Sequence, residues 1–124
     1  MISADLDGLK WINDHLGHEA GGQAIQQTSI LLKETYREAD IFARIGGDEF
    51  VVLATEISPA SPAHLVSRLT GSLRRWNKHR LERFTLDLSL GASLFNPAFP
   101  ISLDELMRQA DNDMYQQKHL KKAV

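Results

Sequence analysis

The chain has 124 residues, 43% of them hydrophobic, which suits one globular domain with a packed core and leaves room for little more than one site. Its 14 basic and 16 acidic residues give a net charge of −2, which argues against a broad basic surface for nucleic acid or for a membrane face, so an anionic ligand must be gripped locally. The absence of cysteine excludes disulfides, thiolate catalysis and cysteine-held zinc, and is in keeping with a cytoplasmic location.

The opening "MISADLDGLK" meets an acid at Asp5, unlike a leader peptide, and no apolar run reaches the length of a membrane span. Residues 2 to 5 read as the end of a short buried strand. A helix follows from about Gly8 to Leu16, with Leu9, Ile12 and Leu16 on one face and Gly17 as its stop. A second helix runs from about Glu19 to Tyr36, with Ile25, Ser29, Leu32 and Tyr36 at helical spacing and Leu31 widening the stripe. His18 is expected to cap the join between the two. The run "DIFARI", the turn "GGDE" and "FVVLAT" then read as a hairpin.

Ser61 and Pro62 announce a third helix carrying Leu65, Leu69, Leu73 and Trp76 on one stripe. Strand character returns at "FTLDLSLGASLF". The last helix opens with the capping box "SLDE", Ser102 at the cap and Glu105 three on, and is expected to face Leu103, Leu106, Met107, Ala110 and Met114 to the core. Trp11 and Trp76 both sit at helical positions that packing explains better than base stacking. The order strand, two helices, hairpin, helix, strand, helix predicts an α/β (α+β) fold in which a mixed sheet carries packed helices, a ferredoxin-like or palm-like layer.

Within that frame the turn is too acidic for a mere reversal. Asp48 and Glu49 at a hairpin tip repel each other unless a cation lies between them. If the first strand pairs antiparallel with "FVVLA", Asp5 arrives beside that tip, and Asp7 shares its strand face at spacing two. Asp5, Asp48 and Glu49 then form an all-oxygen cluster suited to Mg²⁺ with water and substrate phosphates. The next helix begins at "DGLK", so the free N–H groups of Gly8 and Leu9 offer an anion site, with Lys10 as a point charge beside it. Lys10 and Asn13 are three apart on the exposed face of that helix, which leaves the Asn13 amide free to read a base edge.

The segments "DLDGLKWINDHLGHEAG", "READIFARIGGDEF" and "ADNDMYQQK" together resemble the GGDEF diguanylate cyclase family over essentially the whole chain, with the motif literal at Gly46, Gly47, Asp48, Glu49 and Phe50. The resemblance implies one GGDEF domain that joins two GTP into cyclic di-GMP across a homodimer, with Mg²⁺ or Mn²⁺ as cofactor. It implies that Asp5, the Leu6 carbonyl, Asp48 and Glu49 hold the metal, that Asp48 or Glu49 helps deprotonate the attacking 3′-hydroxyl, and that Lys10 neutralises developing charge. Gly8, Leu9, Asn13, Gly46 and Gly47 would line the nucleotide, and Lys118 matches a phosphate-contacting lysine. Lys122 stands where the family usually has arginine. The pattern R-x-x-D at Arg37 and Asp40 matches the family's inhibitory site for its own product, whereas the pair alone would read as a solvated ion pair worth about 0.2–0.5 kcal/mol. An upstream sensor or receiver domain is the expected regulatory partner, and neither nucleic acid nor a membrane is.

Three departures accompany the match. The family usually reads G-H-x-x-G-D where this chain reads "GHEAGG", so Gly22 replaces the acid that accepts from guanine, and base choice is expected to relax. The family's leading helix and its D-x-L-T-x-L-x-N-R segment do not precede the first strand here, and "HLKKAV" replaces a G-R-N turn. The alternative reading is therefore an idle module that senses GTP or cyclic di-GMP.

Overall fold

The computed structural model describes residues 1–37, 39, 41–53 and 62–123, with the backbone alone at 62, 122 and 123. Among these residues four strands and four helices follow in the expected order: β1 (Ile2–Leu6), α1 (Leu9–Leu16), α2 (His18–Thr35), β2 (Ile41–Arg44), β3 (Glu49–Leu53), α3 (Pro62–His79), β4 (Leu88–Ala92) and α4 (Leu103–Ala123). The strands lie in the order β2-β3-β1-β4, the ferredoxin-like arrangement, and every neighbouring pair is antiparallel. Where the sequence suggested a mixed sheet, parallel strands do exist but never pair. The helical connections make β1 run with β2 and β3 with β4, and the strand order separates each such couple.

Alternation along the strands divides the core into two layers. Ile2, Ala4 and Leu6 of β1, Phe50 and Val52 of β3 and Leu88 and Leu90 of β4 join Ile12, Ala24, Leu31, Leu32 and Leu69 from α1, α2 and α3. On the opposite face Met1 and Val51 pack with Leu106 and Ala110 of α4. Ser3, Asp5 and Ser89 share the strand parity of that second face. They are thereby turned toward α4.

Leu9 and Leu16 pack beside buried Ile12, as the periodicity of the first helix predicted. The second helix turns a somewhat different stripe inward, Gly21, Ala24, Thr28, Leu31, Leu32 and Thr35, because Thr28 and Thr35 satisfy their hydroxyls on the carbonyls of Ala24 and Leu31 and so cost little to bury. Gly17, at φ 93°, makes the join that was assigned to His18, and it donates its own N–H to Asn13 O at 3.1 Å. Leu65, Leu73 and Trp76 flank buried Leu69 as expected, whereas Ser61 lies outside the described residues.

Ser102 does cap α4, its Oγ accepting from the Glu105 N–H at 3.1 Å. Leu103, expected in the core, is 55% exposed, because the first turn of α4 overhangs the sheet and contact begins at Leu106. Trp11 is also 55% exposed and stacks on His15 with ring centroids 4.4 Å apart, since Ile12 and not Trp11 faces inward on α1. Trp76 packs against Phe84 as predicted. β4 is shorter than the apolar run that announced it, because Leu86 leaves the ladder and bonds the Asn77 carboxamide through both its N–H and its C=O, each at 2.8 Å.

Candidate active site

One end of the sheet gathers the residues singled out by the sequence. The C-terminal end of β1, the start of β3, the start of β4 and the N-terminus of α1 meet there. Asp5 is the register partner of Glu49 and also of Ser89, and the Leu6 N–H donates to Asp48 O at 2.8 Å, so the hairpin turn is tied directly to β1. The Leu6 side chain is buried, which leaves only its backbone to face the site.

The turn's glycines are not there for dihedral freedom, since only Gly8 and Gly17 have positive φ among the described residues. A Cβ at Gly46 or Gly47 would meet nothing within 4 Å. What shapes the turn is Arg44, whose guanidinium donates to Gly46 O at 3.0 Å and to Gly47 O at 3.2 and 2.8 Å. The sequence reading overlooked Arg44. Its signal was a cation two residues ahead of a pair of flexible carbonyls.

The electrostatics are those of crowded carboxylates. Burial pushes the Asp5 carboxyl above its usual range, a hydrogen bond from Lys118 pulls it back, and the Asp48 charge pushes it up again. Glu49 is raised by burial and then by the charges of Asp111, Asp5 and Asp48. Lys118 is raised chiefly by its hydrogen bond to Asp5, with burial opposing. Its Nζ lies 2.5 Å from Asp5 Oδ2 and 3.5 Å from Asp7 Oδ1.

Asp111 of α4 is a fourth acid in the cluster, anchored by Ser3 Oγ at 2.7 Å. It went unassigned from sequence, though it stands in the "ADNDMYQQK" segment. Lys121 was also missed: it meets Asp7 at 3.2 Å, Asp87 at 3.1 Å and Leu88 O at 2.5 Å, and its spacing of three from Lys118 on one helix face was the available clue.

Among the described residues no three acidic or histidine side chains are set as a ready metal cage. Two observations fit a hard divalent cation all the same. Asp5 Oδ1 is buried without a hydrogen-bond partner, and the carboxylates that act on Asp5 and Glu49, among them Asp48 and Asp111, offer oxygen donors. Mg²⁺ commonly takes only one or two carboxylates from a protein and completes its shell with water and substrate phosphates.

At the nucleotide side, Gly8 opens α1 at φ 74° with no side-chain hydrogen bond capping the helix, and Lys10 is exposed in its first turn. Asn13 is half-buried, and its carboxamide lies over Gly21 of α2, so closely that a Cβ there would stand 1.7 Å from Oδ1. The next residue, Gly22, faces open space.

A family model described as diguanylate cyclase, GGDEF domain, matches residues 1–123. The chain belongs to the GGDEF domain family. The GGDEF chain is 33% identical over 118 residues to the bifunctional diguanylate cyclase/cyclic di-GMP phosphodiesterase MucR of Pseudomonas aeruginosa, covering 95% of itself and 17% of that protein. It is 30% identical over 118 residues to the probable diguanylate cyclase DgcC of Escherichia coli, covering 95% of itself and 32% of that relative. Among solved structures, the GGDEF domain of PA1120 (YfiN or TpbB) from Pseudomonas aeruginosa superposes with a TM-score of 0.78 at 30% identity, over 96% of this chain and 74% of that one. The chain thus spans a minor part of the curated relatives it matches.

Of the R-x-x-D pattern, Arg37 is set away from the carboxylates. Arg37 is exposed just past α2, ahead of the start of β2, while the acids meet at the other end of that strand. It lines a hollow of about 400 Å³ with Glu34, Ser72, Arg75 and Trp76. Asp40 lies outside the described residues, as does the side chain of Lys122. No described helix is long and apolar enough to cross a membrane.

Proposed function

We propose that this GGDEF domain is a diguanylate cyclase, in which two copies each present one GTP and together form cyclic di-GMP and two pyrophosphates. The observation that carries the reading is the convergence of Asp5, Asp48 and Glu49 around a buried, unpartnered oxygen of Asp5, with Lys118 at its margin. Asp48 or Glu49 accepts the proton of the 3′-hydroxyl as that oxygen attacks the α-phosphorus of the opposed GTP, and the bond to pyrophosphate breaks. Lys10, Lys118 and Lys122 hold and neutralise the triphosphate. The open N-terminus of α1 at Gly8 and Leu9 adds two backbone donors, and Gly46 and Gly47 let the nucleotide approach the turn closely. Asp5, the Leu6 carbonyl, Asp48 and Glu49 would hold Mg²⁺ or Mn²⁺, which would supply charge neutralisation for the phosphoryl transfer.

Asn13 reads the base. With Gly22 bare beside it, adenine is less strongly refused than where an acid occupies that position, which favours a second reading of a cyclase that also accepts ATP. Arg37 and Asp40 form a product-binding inhibitory site, an upstream sensor or receiver domain brings two copies together, and the domain works in the cytoplasm.

Mass spectrometry of products after incubation of concentrated protein with Mg²⁺ and GTP, ATP or both tests these readings together, with Asp48→Ala as control. Cyclic di-GMP from GTP, absent in the control, supports the cyclase. A mixed dinucleotide supports relaxed base choice. No product from any mixture removes the enzymatic reading in favour of a nucleotide-sensing module.

A further inference from the structure

Two lysines of α4 reach across the end of the sheet, and both end on Asp7. Lys118 Nζ sits on Asp5 Oδ2 at 2.5 Å with Asp7 Oδ1 3.5 Å away, and Lys121 Nζ holds Asp7 Oδ2 at 3.2 Å. Asp7 is in turn fixed from the strand side, because the hydroxyl of fully buried Ser89 donates to Oδ2 at 2.8 Å and lies 3.0 Å from Oδ1. Asp7 follows the last residue of β1 and its N–H donates to Asp87 O at 2.8 Å, so backbone and side chain are both held by β4 and the segment ahead of it. The carboxylate is therefore rigid, and the lysines are the movable partners.

An ammonium group and a divalent cation compete for the same carboxylate oxygens, and Lys118 in its present place covers one oxygen of Asp5. A cation that takes both Asp5 oxygens displaces Lys118, and one on the unpartnered Oδ1 alone repels the ammonium from Oδ2. Set loose, a four-carbon side chain with an exposed head would sweep a wide volume and lose its aim. The second carboxylate, one long contact away, prevents this.

We propose that Asp7 is a positioning residue that receives Lys118 when a divalent cation takes Asp5, and that Ser89 and Lys121 hold Asp7 ready for that exchange. The inference rests on the cyclase reading only for the anion that Lys118 then meets, the triphosphate. It explains why a carboxylate so close to the cluster is bonded to a serine hydroxyl and two lysines. Asp7 does not touch the reacting atoms. Its effect runs through Lys118.

The test is a double-mutant cycle on Mn²⁺ binding by the whole domain without nucleotide, read by the loss of the free-ion signal in electron paramagnetic resonance, with Asp7→Asn, Lys118→Met and the two combined. Asp7→Asn is expected to weaken Mn²⁺ binding about tenfold, since Lys118 then has no seat but Asp5. Lys118→Met is expected to strengthen binding by removing the competitor. In the Lys118→Met background, Asp7→Asn should have almost no effect.

An equal loss in both backgrounds would mean that Asp7 acts only as added negative charge or as a direct ligand, which overturns the proposal. Unchanged affinity in Asp7→Asn alone overturns it too, as does failure of the unaltered domain to bind Mn²⁺. Should Asp7→Asn not fold by circular dichroism, Ser89→Ala with and without Lys118→Met gives the same cycle with a smaller loss. If the cycle behaves as expected and no cyclic dinucleotide is ever formed, the exchange stands and the cyclase reading alone falls.

Discussion

Asn13 Oδ1 occupies the space directly above Gly21, 1.7 Å from where a Cβ on that residue would lie. The two residues sit on successive helices joined by a glycine at positive φ, so the tight α1–α2 junction is what sets the carboxamide in place. Gly21→Ala forces the carboxamide to swing away, and because Asn13 has rotamers to give, the fold loses little. The helix gains about 0.5–1 kcal/mol of propensity from the same change, so the melting temperature should stay nearly constant. KM for GTP is expected to rise about tenfold, the worth of one good polar contact, in steady-state kinetics.

Gly22 gives the opposite expectation. With nothing within 4 Å of a Cβ there, Gly22→Asp inserts a carboxylate one residue on from the glycine that Asn13 covers, without strain. The preference for GTP over ATP, measured as a ratio of kcat/KM, should rise by about ten- to a hundredfold, the usual range for one charge-assisted hydrogen bond.

Gly91 of β4 is packed against the backbone of α4, and a Cβ would stand 2.1 Å from Ala110 O and 2.3 Å from Met114 N. Backbone cannot step aside as a side chain can. Gly91→Ala is expected to lift α4 and cost about 2–3 kcal/mol in a urea titration. It should also lower activity at temperatures where the protein is still folded, because Asp111, Lys118 and Lys121 ride on the same helix.

Glu49 predicts a pH dependence in the metal-free protein. Burial first, then Asp111, Asp5 and Asp48, raise its folded affinity for a proton, so the folded state holds that proton more tightly than the unfolded chain does. The stability contribution of Glu49 therefore falls as pH rises from the ordinary carboxylate range through the raised folded value, and remains low above it. In EDTA, Glu49→Gln should melt higher than the unaltered protein at neutral pH, with the difference closing as pH falls. Saturating Mg²⁺ should shrink or reverse that difference while product formation by the variant drops. Melting curves identical at every pH would contradict this account.

Periodicity alone marked out the helices, because an amphipathic segment must turn its stripe to whatever core exists: Ile12, Leu69, Leu106 and Ala110 went inward as their spacing required. The acids were legible too, since two carboxylates on a glycine turn have no structural reason to be adjacent. Leu103 and Trp11 were not, because exposure at a helix end or flank depends on where the sheet stops beneath it.

By itself, then, the sequence determined the order of elements, the hairpin with its acids and the lysines near the chain's end, all of them properties of residues close together along the chain. Tertiary structure decided which of these meet. The register Asp5 opposite Glu49, the seat of Asp111 on Ser3 and the sharing of Lys118 between Asp5 and Asp7 follow from strand order and from α4 crossing at Gly91. Residues 5, 7, 111 and 118 lie more than a hundred positions apart across that contact. Only the folded sheet, by placing β4 next to β1 and α4 over both, brings those four charges together.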